Sequence, residues 1–462
     1  MSPIEDLPPA LHKPLGALLV KNATPAIAAM LMSALYQIVD GIMVGQRLGP
    51  HAIASINIIY PVIALLVGLA VMVGTGGNAR IAVLLGRRRN EAARRILTLM
   101  TAMGILIGVT GTVVVLWFGS TLTAALGAAP EIHGMAVRYL LTLAPFFTGF
   151  ILSFTLEQSL RNDGRGTLAG FVMGGAAVLN IVLDYVFLFP LDMGIAGAAL
   201  ASGISMTLSA VIFLTLLARP TGALWFTRFR LRRKTLIATS AAIAANGSSE
   251  LFSALAMGVV TLLFNRTLMS ISGSDGVAAF AIVQYLLMIS AVFLAGLAAG
   301  GQPIIGQNYG AQLHRRVRHT VLLMIGAGMG ISVILLIAGR ALAPAMARTF
   351  VPDHPDAVTI VTEALRMVSW ALVVTPLGTL GSAYFTAVER PIPSLIIAAL
   401  RSLVIPVVLL PILPLVMGTV GVWLIPVLSE GITAVGAVAM MVASLRAGDR
   451  HTVPDGDALR SA

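Results

Sequence analysis

Residues 54–77 read ASINIIYPVIALLVGLAVMVGTGG, 24 residues without a charged side chain. As a helix rising 1.5 Å per residue, this stretch is about 36 Å long, enough to cross the roughly 30 Å hydrocarbon layer of a bilayer. Runs of the same kind recur on both sides of it. They predict helices at 16–44, 96–118, 135–158, 167–189 and 195–218, then at 236–262, 277–303, 320–338, 358–386, 393–414 and 419–443. The fold class expected is therefore an all-α membrane protein of about twelve transmembrane helices.

Composition agrees with that reading. Hydrophobic residues make up 58% of the chain, charged residues only 11%, and the mean hydropathy is +0.94, outside the range of soluble domains. No cysteine is present, which excludes disulfides, thiolate metal sites and cysteine nucleophiles. The first fourteen residues contain Glu5 and Asp6 ahead of the apolar run, so no cleaved signal peptide is expected.

The formal charge of +11 decides orientation once the basic residues are placed. Counted against the predicted spans, 22 of the 30 Lys and Arg fall in alternate segments on one side, among them Arg80, Arg87, Arg88, Arg89, Arg94 and Arg95, then Arg228, Arg230, Arg232, Arg233 and Lys234. The other side holds Arg47, Arg266, Arg340 and Arg348, while Lys21, Arg138, Arg366 and Arg401 fall within spans. The positive-inside rule then puts both termini in the cytoplasm of a multi-pass protein of the bacterial inner (plasma) membrane. The charge orients the chain and gives no reason to invoke nucleic acid.

A shift of 224 residues superposes Gly76-Gly77 on Gly300-Gly301, Gly86 on Gly310, Gly104 on Gly328, Pro190 on Pro414, and Met193-Gly194 on Met417-Gly418. One offset held over more than a hundred residues indicates duplication. Each half has an even number of helices, so the halves enter the membrane from the same side and are related by a pseudo-twofold axis along its normal. The expected organisation is a six-helix lobe at 1–218, a basic cytoplasmic linker at 219–235, a second six-helix lobe at 236–445 and a cytoplasmic tail at 446–462.

Several motifs together resemble the multidrug and toxic compound extrusion (MATE) transporters. They are Tyr36-Gln37-Ile38-Val39-Asp40-Gly41, Leu160-Arg161-Asn162-Asp163-Gly164, Leu179-Asn180-Ile181-Val182-Leu183-Asp184, Gly194-Ile195-Ala196-Gly197, and Gly301-Gln302-Pro303-Ile304-Ile305-Gly306-Gln307-Asn308-Tyr309-Gly310. The resemblance covers nearly the whole chain. It implies a two-lobed antiporter that exports small organic cations or drugs in exchange for protons or sodium ions, without a nucleotide-binding domain.

The polar residues carry an independent argument. An acid at the centre of a membrane helix costs about 2.5–3.5 kcal/mol on insertion scales, so its presence needs a reason. Asp40, Asp184 and Ser202 fall at nearly the same depth, in the outer half of the bilayer, and Asn180 lies one turn from Asp184 on the same face. Two carboxylates, an amide and a hydroxyl can hold a sodium ion or share a proton. The resemblance places Asp40, Asn180, Asp184 and Ser202 at the family's amino-lobe cation site, with Ser202 where Thr is common; a sodium ion at Asp40, Asn180 and Asp184 is the metal such a set would take. The bland reading is a hydrogen-bond network that only pins helices. The repeat speaks against it, because at the 224 offset Asn180 and Asp184 become Val404 and Val408.

Glu250, with Asn246 one turn earlier, is a second candidate, either facing substrate or sharing a hydrogen bond with Asn246. The resemblance implies for it a partner Asp in the tenth helix, which is missing: that helix offers only Glu363 and Arg366 near its outer end. Arg401 and Glu430 read as a structural tie, and Glu157 and Gln158 as gate residues or solvated helix ends. Pro25 should kink or soften the first helix. The 21 Met read as core filler before they read as an adaptable cavity lining.

No H-E-x-x-H, G-x-S-x-G or Walker sequence occurs, so an enzyme is not expected, and no cofactor beyond the coupling ion, H+ or Na+. The alternative is a flippase for a lipid-linked or amphipathic precursor, which should carry a strongly cationic central cavity. The expected partners are small organic cations or drugs and the lipid bilayer, with the monomer as working unit.

Overall fold

The computed structural model describes residues 9–228, 233–350 and 355–449. Among them there is no strand, and twelve helices are long and apolar enough to cross a membrane. In chain order these are α1 (Leu15–Leu48), α2 (Pro50–Gly86), α3 (Asn90–Ala125), α4 (Pro130–Asn162), α5 (Gly166–Leu188) and α6 (Ile195–Ala218). The second six are α7 (Arg233–Gly273), α8 (Asp275–Gly310), α9 (His314–Ala341), α10 (Val358–Ala387), α11 (Pro391–Leu409) and α12 (Leu413–Arg446). Arg230 and Arg232 of the basic stretch, and the tail from residue 450 on, lie outside the described residues.

Most spans are longer than their apolar runs. The second, expected at 54–77, extends through Asn78 and Arg80 to Gly86 because its polar residues find partners inside the protein. Asn78 is buried, donating to the carbonyls of Gly74 and Thr155 at 2.9 and 3.1 Å, and Arg80 lies 3.9 Å from Glu389. Prolines start α2, α4 and α11, where the missing N–H would be unsatisfied anyway. Inside α4, Pro145 coincides with a 3₁₀ turn over Ala144–Phe146, and α11 contains a π turn over Leu400–Val404. α1 runs helical through Pro25, and a short helix, Ala343–Phe350, follows α9.

The 224-residue offset recurs in the backbone. Left-handed conformations occur at Gly49 (φ 79°) and Gly273 (φ 62°), at Arg88 (φ 57°) and Gln312 (φ 61°), and at Gly194 (φ 63°) and Gly418 (φ 59°), each pair 224 residues apart. These are the positions where one helix ends and the next begins. Gly serves four of them because its lack of a Cβ removes the steric cost of positive φ.

Lipid is as apolar as leucine, so helices in a membrane associate through close packing of small residues rather than through expulsion of water. The two halves meet in this way at the arginine-rich end. A Cβ on Gly86 would overlap the carbonyl of Gln307, and one on Gly310 would overlap the carbonyl of Val83. Positions 83 and 307, like 86 and 310, are 224 apart, so this is one contact seen from each half. Deeper in, α2 meets α7 where a Cβ on Gly76 would lie 2.9 Å from the Gly247 nitrogen, and α8 meets α1 where a Cβ on Gly300 would lie 2.6 Å from Ala23 Cα. Polar ties cross the same end: Gln307 Nε2 donates to the Asn162 carbonyl at 2.9 Å, and Asn308 Nδ2 to that of Ala10 at 3.0 Å. After α6 the chain folds back so that Trp225 lies under Arg94, whose guanidinium is 3.0 Å from the ring centroid.

This packing leaves no room for a methyl group. Gly86→Ala or Gly310→Ala should lower stability by about 1–3 kcal/mol through overpacking. Either should also raise, several-fold, the thiol-labelling rate of a cysteine at Ala79, which is buried on α2. A labelling rate and a melting midpoint that both match the parent would show that the approach at Gly86 does not hold this end shut.

Candidate functional site

Four helices converge on the acids of the first half. α1 supplies Asp40, α5 supplies Asn180 and Asp184 from successive turns of one face, α6 supplies Ser202, and α4 supplies Tyr139. α1 and α5 lie close because α5 presents Gly170 to Pro25, where a Cβ would be 2.9 Å from the Pro25 carbonyl oxygen. Asp184 is 0% exposed and Asn180 1%, while Asp40 and Ser202 are half-buried.

The structure brings the four sequence-predicted residues into one cluster. The carboxyl groups of Asp40 and Asp184 are within hydrogen-bonding contact of each other. With the Asn180 amide oriented so that both of its ends find partners, Nδ2 donates to Asp184 Oδ2 at 3.1 Å. The amide oxygen then accepts from Ser202 Oγ at 3.3 Å and Ser202 N at 3.2 Å. Asp40 Oδ1 and Asp184 Oδ1 remain buried with no donor facing them. Buried polar atoms are nearly always satisfied, so a pair of orphaned carboxylate oxygens in a membrane helix bundle marks a place for a proton or a cation. The donor set fits a small monovalent ion only sparingly, since the Asn180 oxygen is already engaged by Ser202.

Two tyrosines complete the chamber. Tyr36 stands one turn before Asp40 on the same face of α1. Tyr139, buried, hydrogen-bonds to Ser202. Tyr36 falls within a quoted motif and its i, i+4 spacing to Asp40 was a usable signal. Tyr139 sits in a helix with nothing in its local pattern to single it out.

The second half is built differently at this place. Val404 and Val408, the positions equivalent to Asn180 and Asp184, are both exposed. The half's own polar cluster lies on α7, α10, α11 and α12. Arg401 Nε is 3.4 Å from Glu430 Oε1, the tie expected of these two residues. Asn246 does not bond to Glu250; its Nδ2 donates to the Thr386 carbonyl at 3.0 Å. Glu363 and Arg366 are exposed, away from the cluster.

Glu157 is not a solvated helix end: it pairs with Arg161, whose side chain is 1% exposed. Gln158 Nε2 donates to Thr75 Oγ1 on α2 at 3.3 Å.

The sequence profile of the MatE family matches this chain twice, at residues 25–186 and 250–412, together more than half its length. Multidrug export protein MepA of Staphylococcus aureus is 28% identical over 435 residues, covering 93% of this chain and 93% of its own. The MepA of Staphylococcus saprophyticus is 26% identical, covering 95% of each. A solved structure described as the outward-facing conformation of a multidrug resistance MATE family transporter of the MOP superfamily superposes with a TM-score of 0.89 at 25% identity, over 96% of this chain and 98% of its own.

Arg401 is the counter-charge of Glu430, so removing it alone should be worse than removing it together with that partner. Arg401→Gln should lower the melting midpoint by several degrees, and Arg401→Gln with Glu430→Gln should recover part of the loss. Equal losses in the single and double variants would show that the two charges are not coupled.

Proposed function

We propose a cation-driven efflux cycle for a chain that belongs to the multidrug and toxic compound extrusion family, and the orphaned carboxylate oxygens of Asp40 and Asp184 carry that reading. The family is one of transporters, so the protein is a multidrug efflux transporter of the membrane and not an enzyme. The finer reading is exchange of small organic cations for H+ or Na+, with Asp40, Asn180, Asp184 and Ser202 as the coupling site.

The arginine-rich end is taken as cytoplasmic by the positive-inside rule, with both termini there and the segment 219–235 linking lobes at 1–218 and 236–445. The glycine contacts then close the cytoplasmic side of the pathway. The acids lie toward the other end, so the coupling ion enters from outside. It neutralises the pair, and the chamber contracts around two carboxyls that no longer repel each other. α1 responds because it carries Asp40 at one end and packs on α8 through Ala23 at the other. A substrate released outward is followed by rocking of the lobes, ion loss to the cytoplasm and return of the charged site. Glu250 contributes to substrate binding by exchanging Arg401 for a cationic substrate.

Two carboxylates in contact also decide what a conservative change does. Asn keeps the shape of Asp and can still hydrogen-bond, yet it cannot bind or release a proton and is a poor ligand for a cation. Asp40→Asn and Asp184→Asn should therefore insert at normal abundance and melt close to the parent. In proteoliposomes with a proton or a sodium gradient imposed separately, each should lose at least about a hundredfold of gradient-driven export of a fluorescent cation, the effect of a coupling free energy near 3 kcal/mol. Export at the parental rate with unchanged ion dependence in either variant would remove that residue from the coupling site.

A further inference from the structure

At the arginine-rich end, away from the acidic chamber, lies a cavity of about 580 Å³ whose walls come from both halves. The first half contributes Lys13 from just before α1, Lys21 from its second turn, Arg88 from the turn between α2 and α3, and Arg161 and Asn162 from the end of α4; the second half contributes Pro303, Ile304 and Gln307 of α8. Asp163 is the one acid among the lining residues, and it is already engaged, by Arg165 Nε at 2.6 Å and by the Leu224 N–H at 2.8 Å.

Arg161 is the built element of this wall. Its side chain is 1% exposed, one guanidinium nitrogen is held by Glu157, another reaches the Asn22 carbonyl at 3.5 Å, and Nε is buried with no partner. A guanidinium at the wall and lysines at the rim of one cavity are the groups an oxyanion takes best as partners. Lys13 and Lys21 are exposed at the mouth, on stems long enough to follow a ligand inward. Asn90, the first residue of α3, also lines the cavity, so the positive end of that helix dipole adds to the field. The cavity is too large for a halide, and its charge is arranged around a volume rather than at a point.

We infer that this cavity is a binding site for a phosphate-type oxyanion, and that its occupancy holds the arginine-rich end closed. The second part follows from the walls. Lys13 and Lys21 stand on the first half, Gln307 on the second, and Gln307 donates to the Asn162 carbonyl across the seam. A ligand bridging the walls binds the closed arrangement and loses half its contacts when the halves part, so it shifts the population toward closure. The phosphate group can belong to a lipid headgroup at the membrane surface or to a free phosphate in solution.

The test uses the full chain, carrying a cysteine at Ala79 as reporter, in nanodiscs of phosphatidylcholine. One arm adds inorganic phosphate against chloride at matched ionic strength; a second replaces part of the phosphatidylcholine with phosphatidylglycerol. Phosphate in the first arm or phosphatidylglycerol in the second should slow thiol labelling and raise the melting midpoint, and the responding arm names the source. A lysine near an anionic group contributes about fivefold in affinity, so Lys13→Gln with Lys21→Gln should weaken the response about thirtyfold. Arg89→Gln with Arg95→Gln removes the same charge from exposed positions outside the cavity and should leave the response intact. No response in either arm, or equal weakening in both double variants, overturns the assignment.

Discussion

Two carboxyl groups in contact, with one oxygen of each facing no donor, are the constraint around which the first half is organised. In water such a pair would separate and hydrate; between α1 and α5 it is held by the helices that carry it. The surrounding residues supply what the pair lacks without discharging it. Asn180 donates to Asp184 and engages Ser202, and Tyr139 bonds to Ser202, so the hydrogen-bond network ends on the acids and leaves one oxygen of each unmatched. That residual demand has to be met from outside the protein, which is what a coupling site requires.

The glycine seam is the second half of the argument, because an ion site moves substrate only if it is linked to the closure of the pathway. α1 provides the link. Asp40 sits toward one end of this helix, while Ala23 and Ile27 toward the other lie against Gly300 and Gly296 of α8, and Pro25 between them faces Gly170 of α5. The helix that carries Asp40 therefore also touches the opposite half, as α2 does through Gly76 and Gly86. Close backbone contact makes the seam sensitive to small displacements, since dense packing offers alternative arrangements rather than gradual deformation.

The fold was legible because its signals are long and redundant: a dozen apolar runs, arginines confined to alternate segments, and one offset shared by glycines whose backbone the structure also repeats, as at Gly49 and Gly273. Asp40, Asn180 and Asp184 were legible because a carboxylate inside an apolar run is conspicuous. Helix ends were less so: the apolar run at 54–77 stops short of Asn78, whose partner Thr155 lies 77 residues away and cannot be seen locally. The i, i+4 pairing of Glu157 with Arg161 on α4 was within reach of helix spacing, and the tie between Arg401 and Glu430 was read from the sequence; the limit met at Asn78 also hid Tyr139. Each is a polar residue whose meaning comes from a contact between helices, and sequence periodicity reports only the face of one helix at a time.

The central claim is that the ion and the substrate compete through Asp40 and Asp184, and binding without any gradient isolates it from transport. Purified protein in weakly buffered solution, or equilibrated with radioactive sodium, is titrated with a cationic substrate while released protons or sodium ions are counted. The account predicts release from the parent that saturates with substrate binding, and none from Asp184→Asn at a substrate concentration where binding persists. Equal release from parent and variant would contradict it.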